Sequence, residues 1–265
     1  MSTGAEVGPA AGPVLAGLRA LVARPQRAED VFSNRLRALG CRVHSLPVMT
    51  IAPLAVETCR QRLAGLAAFD KVVVVSVNAA RLAAEYLDAA ALKGGPAWFA
   101  VGQGSAAPLL AMGVPVTCPE REATSEGLLA LPAFAQVAAE KVLIIRGEGG
   151  RDKLRAELTA RGASVDFCEL YRRELDTGHS AEIRRLASAG EIDLVVAHSV
   201  DVLGNLLSLL AGSGVSLGGL AVLVPSDKAA ELARRAGFGT VVAAASALPD
   251  AMVEAARGWY TSDRK

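Results

Sequence analysis

The chain of 265 residues is 52% hydrophobic and 21% charged, which excludes a disordered chain and leaves apolar material for two domains of ordinary size. Its formal net charge of +1 supplies no field for nucleic acid or an anionic membrane, so an anionic ligand must be held by local groups. Aromatic residues, at 4%, are too few for a base-stacking platform, whereas the abundance of Ala, Val, Leu and Gly suits an α/β protein packed from small aliphatic side chains.

Residues 1–17, MSTGAEVGPAAGPVLAG, are rich in Gly, Pro and Ala and carry no basic stretch ahead of their weakly apolar part. They read as a flexible leader of a cytoplasmic protein, and no apolar run reaches the length of a membrane span. After them, short apolar runs near 19–24, 71–77, 97–101, 115–118, 141–146, 193–198, 220–225 and 239–243 predict strands buried on both faces of a sheet. Helical patterns follow nearly all of these, for instance NAARLAAEYLDAA after the second and DKAAELARRAG after the seventh, and the alternation predicts an α/β fold with parallel sheets. Two more extended segments, VHSLPVMTIAPL and VDFCELYRREL, alternate imperfectly; each is either a second strand of a flavodoxin-like sheet or a linker between domains. Cys41, Cys59, Cys118 and Cys168 are scattered without a C-x-x-C, and His44, His179 and His198 lack metal-ligand spacing, so the cysteines read as small buried hydrophobes in a reducing compartment and no metal site is expected.

The stretch VLIIRGEGGRDKLRAEL, from Val142, delivers a strand to a glycine-rich turn and a helix, an arrangement whose unpaired N–H groups suit an anion. A dinucleotide fingerprint would place glycines at 147, 149 and 152, but position 152 is Asp, and the Gly-Lys-Ser/Thr of a P-loop is absent. The turn therefore reads as a plain strand-to-helix connection or a site for some other anion. It has a twin. LVARPQRAEDVFSNRLRALGCRV from Leu21 aligns without a gap on LIIRGEGGRDKLRAELTARGASV from Leu143, setting Arg24 on Arg146 and Asp30 on Asp152. DKVVVVSVNAA from Asp70 then lies over DLVVAHSVDVL from Asp193, with Ser76 on Ser199, so the chain holds two copies of one α/β unit.

In order and spacing, LVARP, LPVMTIAP, DKVVVVSVNAA, AVGQGSAAPLLAMGV, SEGLL, VLIIRGEGGRDKLRAEL, ELYRRE, DLVVAHS and VPSDKAAELARRAGF together resemble the uroporphyrinogen-III synthase family from Leu21 to about Trp259. The resemblance implies two flavodoxin-like α/β domains with parallel sheets, joined by a two-stranded antiparallel linker. On that pattern residues 18–43 with 176–265 form a discontinuous domain, 53–164 an inserted one, and 44–52 with 165–175 the linker strands. Each domain would take its first strand and helix from one copy and the rest from the other. The implied activity is that of a cyclising carbon–oxygen lyase of tetrapyrrole (haem) biosynthesis. It closes linear hydroxymethylbilane to uroporphyrinogen III, losing water and inverting the last pyrrole ring, through an azafulvene cation and a spiro intermediate. No metal or organic cofactor is implied. The implied partner is the small-molecule linear tetrapyrrole, with transient channelling from the preceding synthase; neither nucleic acid nor membrane is expected, and the chain is expected to be a monomer.

That substrate carries an acetate and a propionate on each pyrrole ring. The turns at Ser76 and Asn78, at Gly102 and Ser105, at Ser125, at Ser199, and at Ser226 and Lys228 can offer helix N-termini to such carboxylates, an interaction worth about 0.3–1 kcal/mol per anion. Their serines are either ligand contacts or helix caps. Arg24, Arg146, Arg151 and Lys228 are the cations nearest these turns, and Gly147 and Gly150 can bring backbone N–H groups to a carboxylate; Arg24 and Arg146 read equally as structural, and Arg172 and Arg173 as solvated. The family pattern suggests a catalytic role for Tyr171 in ELYRR, as a general acid toward the departing hydroxyl, against packing at the domain hinge. The match departs from the family at Ser105, where threonine is common, at Lys228 and Ala229, and at His198, which is a satisfied structural histidine or a group titrating near neutral pH. A non-catalytic two-domain small-molecule binding or sensory module is the alternative function.

Overall fold

The computed structural model describes residues 14–24, 30–87, 94–150 and 152–263. They begin with strand β1 (Arg19–Val22), helix α1 (Val31–Ala38) and strand β2 (Arg42–Ser45). The chain then runs through β3 (Met49–Pro53), α2 (Val56–Ala64), β4 (Lys71–Val74), α3 (Val77–Tyr86), β5 (Ala97–Ala100), α4 (Gln103–Leu110), β6 (Val116–Thr117), α5 (Ser125–Leu129), β7 (Lys141–Gly147), α6 (Lys153–Ala160) and the long β8 (Ser164–Leu175). It closes with α7 (Ser180–Ser188), β9 (Leu194–Val196), α8 (Val200–Leu210), β10 (Ala221–Val224), α9 (Asp227–Ala236), β11 (Thr240–Ala243) and α10 (Pro249–Asp263). Two compact units result, one of residues 1–50 with 175–265 and one of residues 51–174. No described helix is long and apolar enough to cross a membrane.

The eight expected strands all form, seven of them shorter at their ends than the apolar runs and β7 one residue longer. Their limits follow from capping. The run 71–77 stops as a strand at Val74 because Ser76 turns to accept a hydrogen bond from Ala79 N (3.1 Å) at the start of α3. Ser199 caps α8 through Val202 N at 3.2 Å, and Ser226 caps α9 through Ala229 N at 3.4 Å. At its other end α9 stops at Gly237, whose φ of +93° is the left-handed conformation that lets a glycine terminate a helix.

In the first unit the sheet order is β11-β10-β9-β1-β2, every pair parallel. One face packs Leu21, Val195, Val222 and Val224 under α7, α8 and α9, and the other packs Ala20, Val22, Leu194 and Leu223 under α1 and α10. Both faces being covered explains why the strands read as continuous apolar runs. Leu15 belongs to the second of these cores and its N–H donates to Leu39 O at 2.8 Å, so packing begins inside the stretch expected to be a flexible leader; residues 1–13 of that stretch lie outside the described residues.

The second unit has the order β3-β8-β7-β4-β5-β6. Val72, Val74, Leu143 and Ile145 pack toward α2 and α3 on one face, and Val73, Val142 and Ile144 toward α5 and α6 on the other. Beside β8, β3 runs antiparallel: Leu54 N donates to Leu170 O at 2.9 Å and, further along, Asp176 N to Val48 O at 3.1 Å. Set β3 aside, start each sheet at its twinned strand, and the orders become β2-β1-β9-β10-β11 and β8-β7-β4-β5-β6. Each is the flavodoxin order, 2-1-3-4-5. The first strand, helix and second strand of each sheet come from one copy of the repeat and the remaining strands from the other. The two ambiguous segments thus combine both readings: β2 and β8 are second strands of their sheets, and β3 and the end of β8 carry the chain between units.

Candidate active site

In open α/β sheets ligands bind beyond the carboxyl ends of the strands, at the point where strand order reverses. In the second unit that point lies between β7 and β4, and a cavity of about 200 Å³ opens there. β7 brings Arg146 and Gly147 to it, the end of β4 brings Val75 and Ser76, and the start of α5 brings Ser125. β8 supplies Phe167 and Tyr171, with a register change: Arg146 pairs with Glu169 but Gly147 pairs with Tyr171. The extra residue is a β-bulge, which re-aims the chain at this edge. It sets the Tyr171 ring against Gly147, packed with Ile145, Cys168 and Leu170 at 1% exposure, while the phenol oxygen lies 3.1 Å from Ser76 Oγ. A Cβ at Gly147 would fall 2.5 Å from that ring, so glycine is what lets the tyrosine in.

Arg146 is 5% exposed, and its guanidinium is spent on the protein. Nε donates to Gly147 O at 3.1 Å, Nη1 to Asp152 Oδ1 at 3.1 Å and Nη2 to Gly149 O. Its Cζ also lies 4.4 Å from the centroid of the Phe167 ring. Gly150 makes room for this: its φ is +106°, and a Cβ there would meet Arg146 Nη2 at 2.7 Å.

The twin position in the first unit keeps the same frame. Arg24 pairs with Asp30, as Arg146 does with Asp152, and Asp30 caps α1 by accepting from Ser33 N at 3.1 Å and Ser33 Oγ at 2.5 Å. Arg24 Nη1 also contacts His198 Nε2 at 3.2 Å, and the His198 ring meets Phe32 edge-on at 4.9 Å. Burial acts to raise the Asp30 pKa, but the Ser33 hydroxyl and N–H and the Arg24 charge outweigh it and hold the carboxyl below its ordinary value.

Six of the sequence-predicted residues, Ser76, Ser125, Arg146, Gly147, Gly150 and Tyr171, therefore meet around one cavity. Asn78 lies in the first turn of α3, Gly102 immediately before α4 and Ser105 inside α4 at 6% exposure; none of these three lines it. Arg24, Ser199, Ser226 and the exposed Lys228 belong to the first unit, and Arg151 lies outside the described residues. Three of the serines are helix caps, while at Ser125 the cap is the preceding Thr124, which accepts from Gly127 N at 3.1 Å. Burial pushes the Cys168 thiol up to about 12 and Cys41 up to about 11, which removes both as nucleophiles near neutral pH.

A family model described as "HEM4: Uroporphyrinogen-III synthase HemD" matches residues 30–254. The uroporphyrinogen-III synthase of Salmonella typhimurium (strain LT2) is 36% identical over 89% of this chain and 98% of its own, and that of Escherichia coli (strain K12) 33% identical over the same shares. The chain belongs to the uroporphyrinogen-III synthase family. Solved structures of uroporphyrinogen-III synthases from Helicobacter pylori (15% identity, 91% of this chain and 99% of that one, TM-score 0.63) and, as a mutant, Thermus thermophilus (18%, 93% and 99%, 0.60) share its fold.

Within this uroporphyrinogen-III synthase family member, sequence reading missed Val75, Phe167, Arg155 and the position of Arg173 at the cavity. Val75 had a usable signal, since the repeat sets it opposite His198, the one polar residue at the end of an otherwise apolar strand run. Phe167 had none, because its place depends on pairing with Ile144 across the β7–β8 ladder.

Proposed function

We propose that the chain is a uroporphyrinogen-III synthase that cyclises hydroxymethylbilane to uroporphyrinogen III, with the second unit's switch-point cavity taking part in holding the reacting end of the substrate. The C–O bond of the terminal hydroxymethyl group breaks as Tyr171 donates its phenolic proton to the leaving oxygen, releasing water and an azafulvene cation. The substituted carbon of the last ring attacks that cation to give the spiro intermediate, which fragments and recloses with the ring inverted; loss of a proton restores aromaticity. The protein's main contribution is to hold the chain curled so that attack falls on the substituted carbon. Helix N-termini and their serines meet carboxylates around it.

The single observation that supports this reading, beside membership of the family, is the Tyr171–Ser76 contact of 3.1 Å at the wall of the cavity. Ser76 accepts from Ala79 N, which leaves its own proton available and fixes the phenol from one side. Incubation with hydroxymethylbilane followed by oxidation and separation of the isomers tests the function: the type III isomer is expected, and type I alone, as forms without an enzyme, overturns it and favours the binding-module alternative. Tyr171→Phe tests the acid, with an expected fall in turnover of about 100-fold, the low end of what a positioned general acid supplies. Full turnover in that variant removes Tyr171 from the chemistry. Activity is expected to survive a chelator.

A further inference from the structure

The two aromatic rings at the cavity each carry an exposed guanidinium, on Phe167 in addition to the buried Arg146. Arg155 Cζ lies 5.0 Å from the Phe167 centroid and Arg173 Cζ lies 5.7 Å from the Tyr171 centroid, and both arginines line the cavity. The acids nearby are committed elsewhere. Asp152 and Glu169 lie 3.1 and 3.9 Å from Arg146, and Glu148 and Glu174 lie 3.7 and 3.8 Å from Arg172. Among the described residues neither Arg155 nor Arg173 has a carboxylate within ion-pair distance. Arg146, one of the candidate cations of the sequence and there equally a structural one, has its donors turned to backbone carbonyls and to Asp152.

We infer that Arg155 and Arg173, not Arg146, are the side chains that hold substrate carboxylates at this cavity, and that the Phe167 and Tyr171 rings serve as shelves that fix their orientation. The inference rests on the proposed function and names the polar groups that select a polycarboxylated oligopyrrole. A guanidinium laid over a ring keeps its outer N–H edge free, and that edge matches a carboxylate with two parallel hydrogen bonds. An ammonium cannot reproduce both the stacking and the fork. The cavity wall carries Arg146, Arg155 and Arg173 and, among the described residues, no carboxylate, so the anionic substrate side chains meet their counter-charge at the wall itself without a strongly basic protein.

Steady-state kinetics with hydroxymethylbilane on Arg155→Met, Arg173→Met and the corresponding Lys variants tests this, together with fluorescence titration of each against uroporphyrin III, an octacarboxylate, and coproporphyrin III, a tetracarboxylate. Each Met variant is expected to raise KM about tenfold, with kcat within about twofold and an unchanged melting temperature, and to weaken uroporphyrin III binding by a similar factor. The Lys variants recover part of the loss, and the preference for the octacarboxylate narrows. Wild-type KM in the double Met variant, or a fall in kcat at constant KM, overturns the inference. If the wild-type protein makes only the type I isomer, the proposed function fails by itself, and wild-type uroporphyrin III binding by the double Met variant then refutes the arginine assignment separately.

Discussion

Arg24 and Arg146 occupy one position in two copies of the same unit, and each pairs with the aspartate six residues on. What differs is the residue across the switch point. In the first unit it is His198, in contact with Arg24 and seated edge-on against Phe32; in the second it is Val75, and a cavity opens against it. The serine that follows caps the next helix in both, Ser199 in one and Ser76 in the other. Duplication has thus kept the frame that ends the strand and starts the helix, and divergence has fallen on the side chains beside it. The shared arginine is accordingly a structural member, and under the proposed function the chemistry falls to what the second unit adds: Tyr171 through a bulge, a ring at Phe167 and two exposed arginines.

If the arginine is frame, its removal is expected to have the largest effect on stability. Arg146→Met leaves the carbonyl of the buried Gly147 without its donor and takes the charged donor from the exposed Gly149 and from Asp152, at a cost of about 3 kcal/mol in urea unfolding. Arg24→Met is expected to cost within about 1 kcal/mol of that. A silent Arg146→Met would break the reading of the pair as common scaffold. Gly147→Ala comes next. Its Cβ would overlap the Tyr171 ring, and overpacking of this kind costs about 1–3 kcal/mol. The twin of Gly147 is Pro25, outside the described residues, so the demand for glycine is tied to the tyrosine and not to the repeat. A double variant with Tyr171→Ala should therefore be less destabilised than the sum of its parts.

Exchanging the differing residue sharpens the comparison further. Val75→His places the first unit's ring beside Arg146 and is expected to lower turnover about tenfold, equivalent to about 1.4 kcal/mol, by filling the cavity. His198→Val leaves the Arg24–Asp30 pair in place and is expected to leave turnover within about threefold. Equal losses in the two variants, measured at saturating substrate, would deny the units their separate roles.

Much of the frame could be read from the sequence, because strands buried on both faces announce themselves as apolar runs and the repeat exposes Arg24, Arg146 and their aspartates by simple offset. The swap of the two copies was legible only through resemblance, since local pattern does not say which strands pair. The site was legible at the helix starts and the glycine turn, at Ser76, Ser125 and Gly150, whose residue types suit those places in the chain, while Gly147 could be picked out only as part of that glycine-rich run. It was illegible where it depends on the β7–β8 register. One inserted residue in β8 decides that Tyr171 meets Gly147, and no composition of the segment ELYRR records that bulge. Arg155 and Arg173 look like solvated surface charges until the rings beneath them are placed.

The smallest expected effect concerns the aspartates, and it separates the units by pH. Asp30 has a side chain 19% exposed and Asp152 one 72% exposed, although both pair with the shared arginine. Because the Asp30 carboxyl is held below its ordinary value, its charge stabilises the folded state above the unfolded carboxylate pKa of about 3.9, and that contribution disappears as pH falls through the lower folded value. Asn retains the oxygen that caps Ser33 N and gives up the charge together with the second oxygen, which accepts from Ser33 Oγ, so Asp30→Asn removes the anionic part of the cap. At pH 7 the variant is expected to be less stable by about 1 kcal/mol, with the difference from wild type constant down to about pH 5 and closing below about pH 4. Asp152→Asn, on an aspartate largely in water, is expected to change stability by less than about 0.5 kcal/mol. A difference for Asp30→Asn that persisted unchanged to pH 2.5 would mean that the carboxylate charge is not what ties Arg24 to the start of α1, and the likeness of the two Arg–Asp pairs would then be one of placement and not of energy.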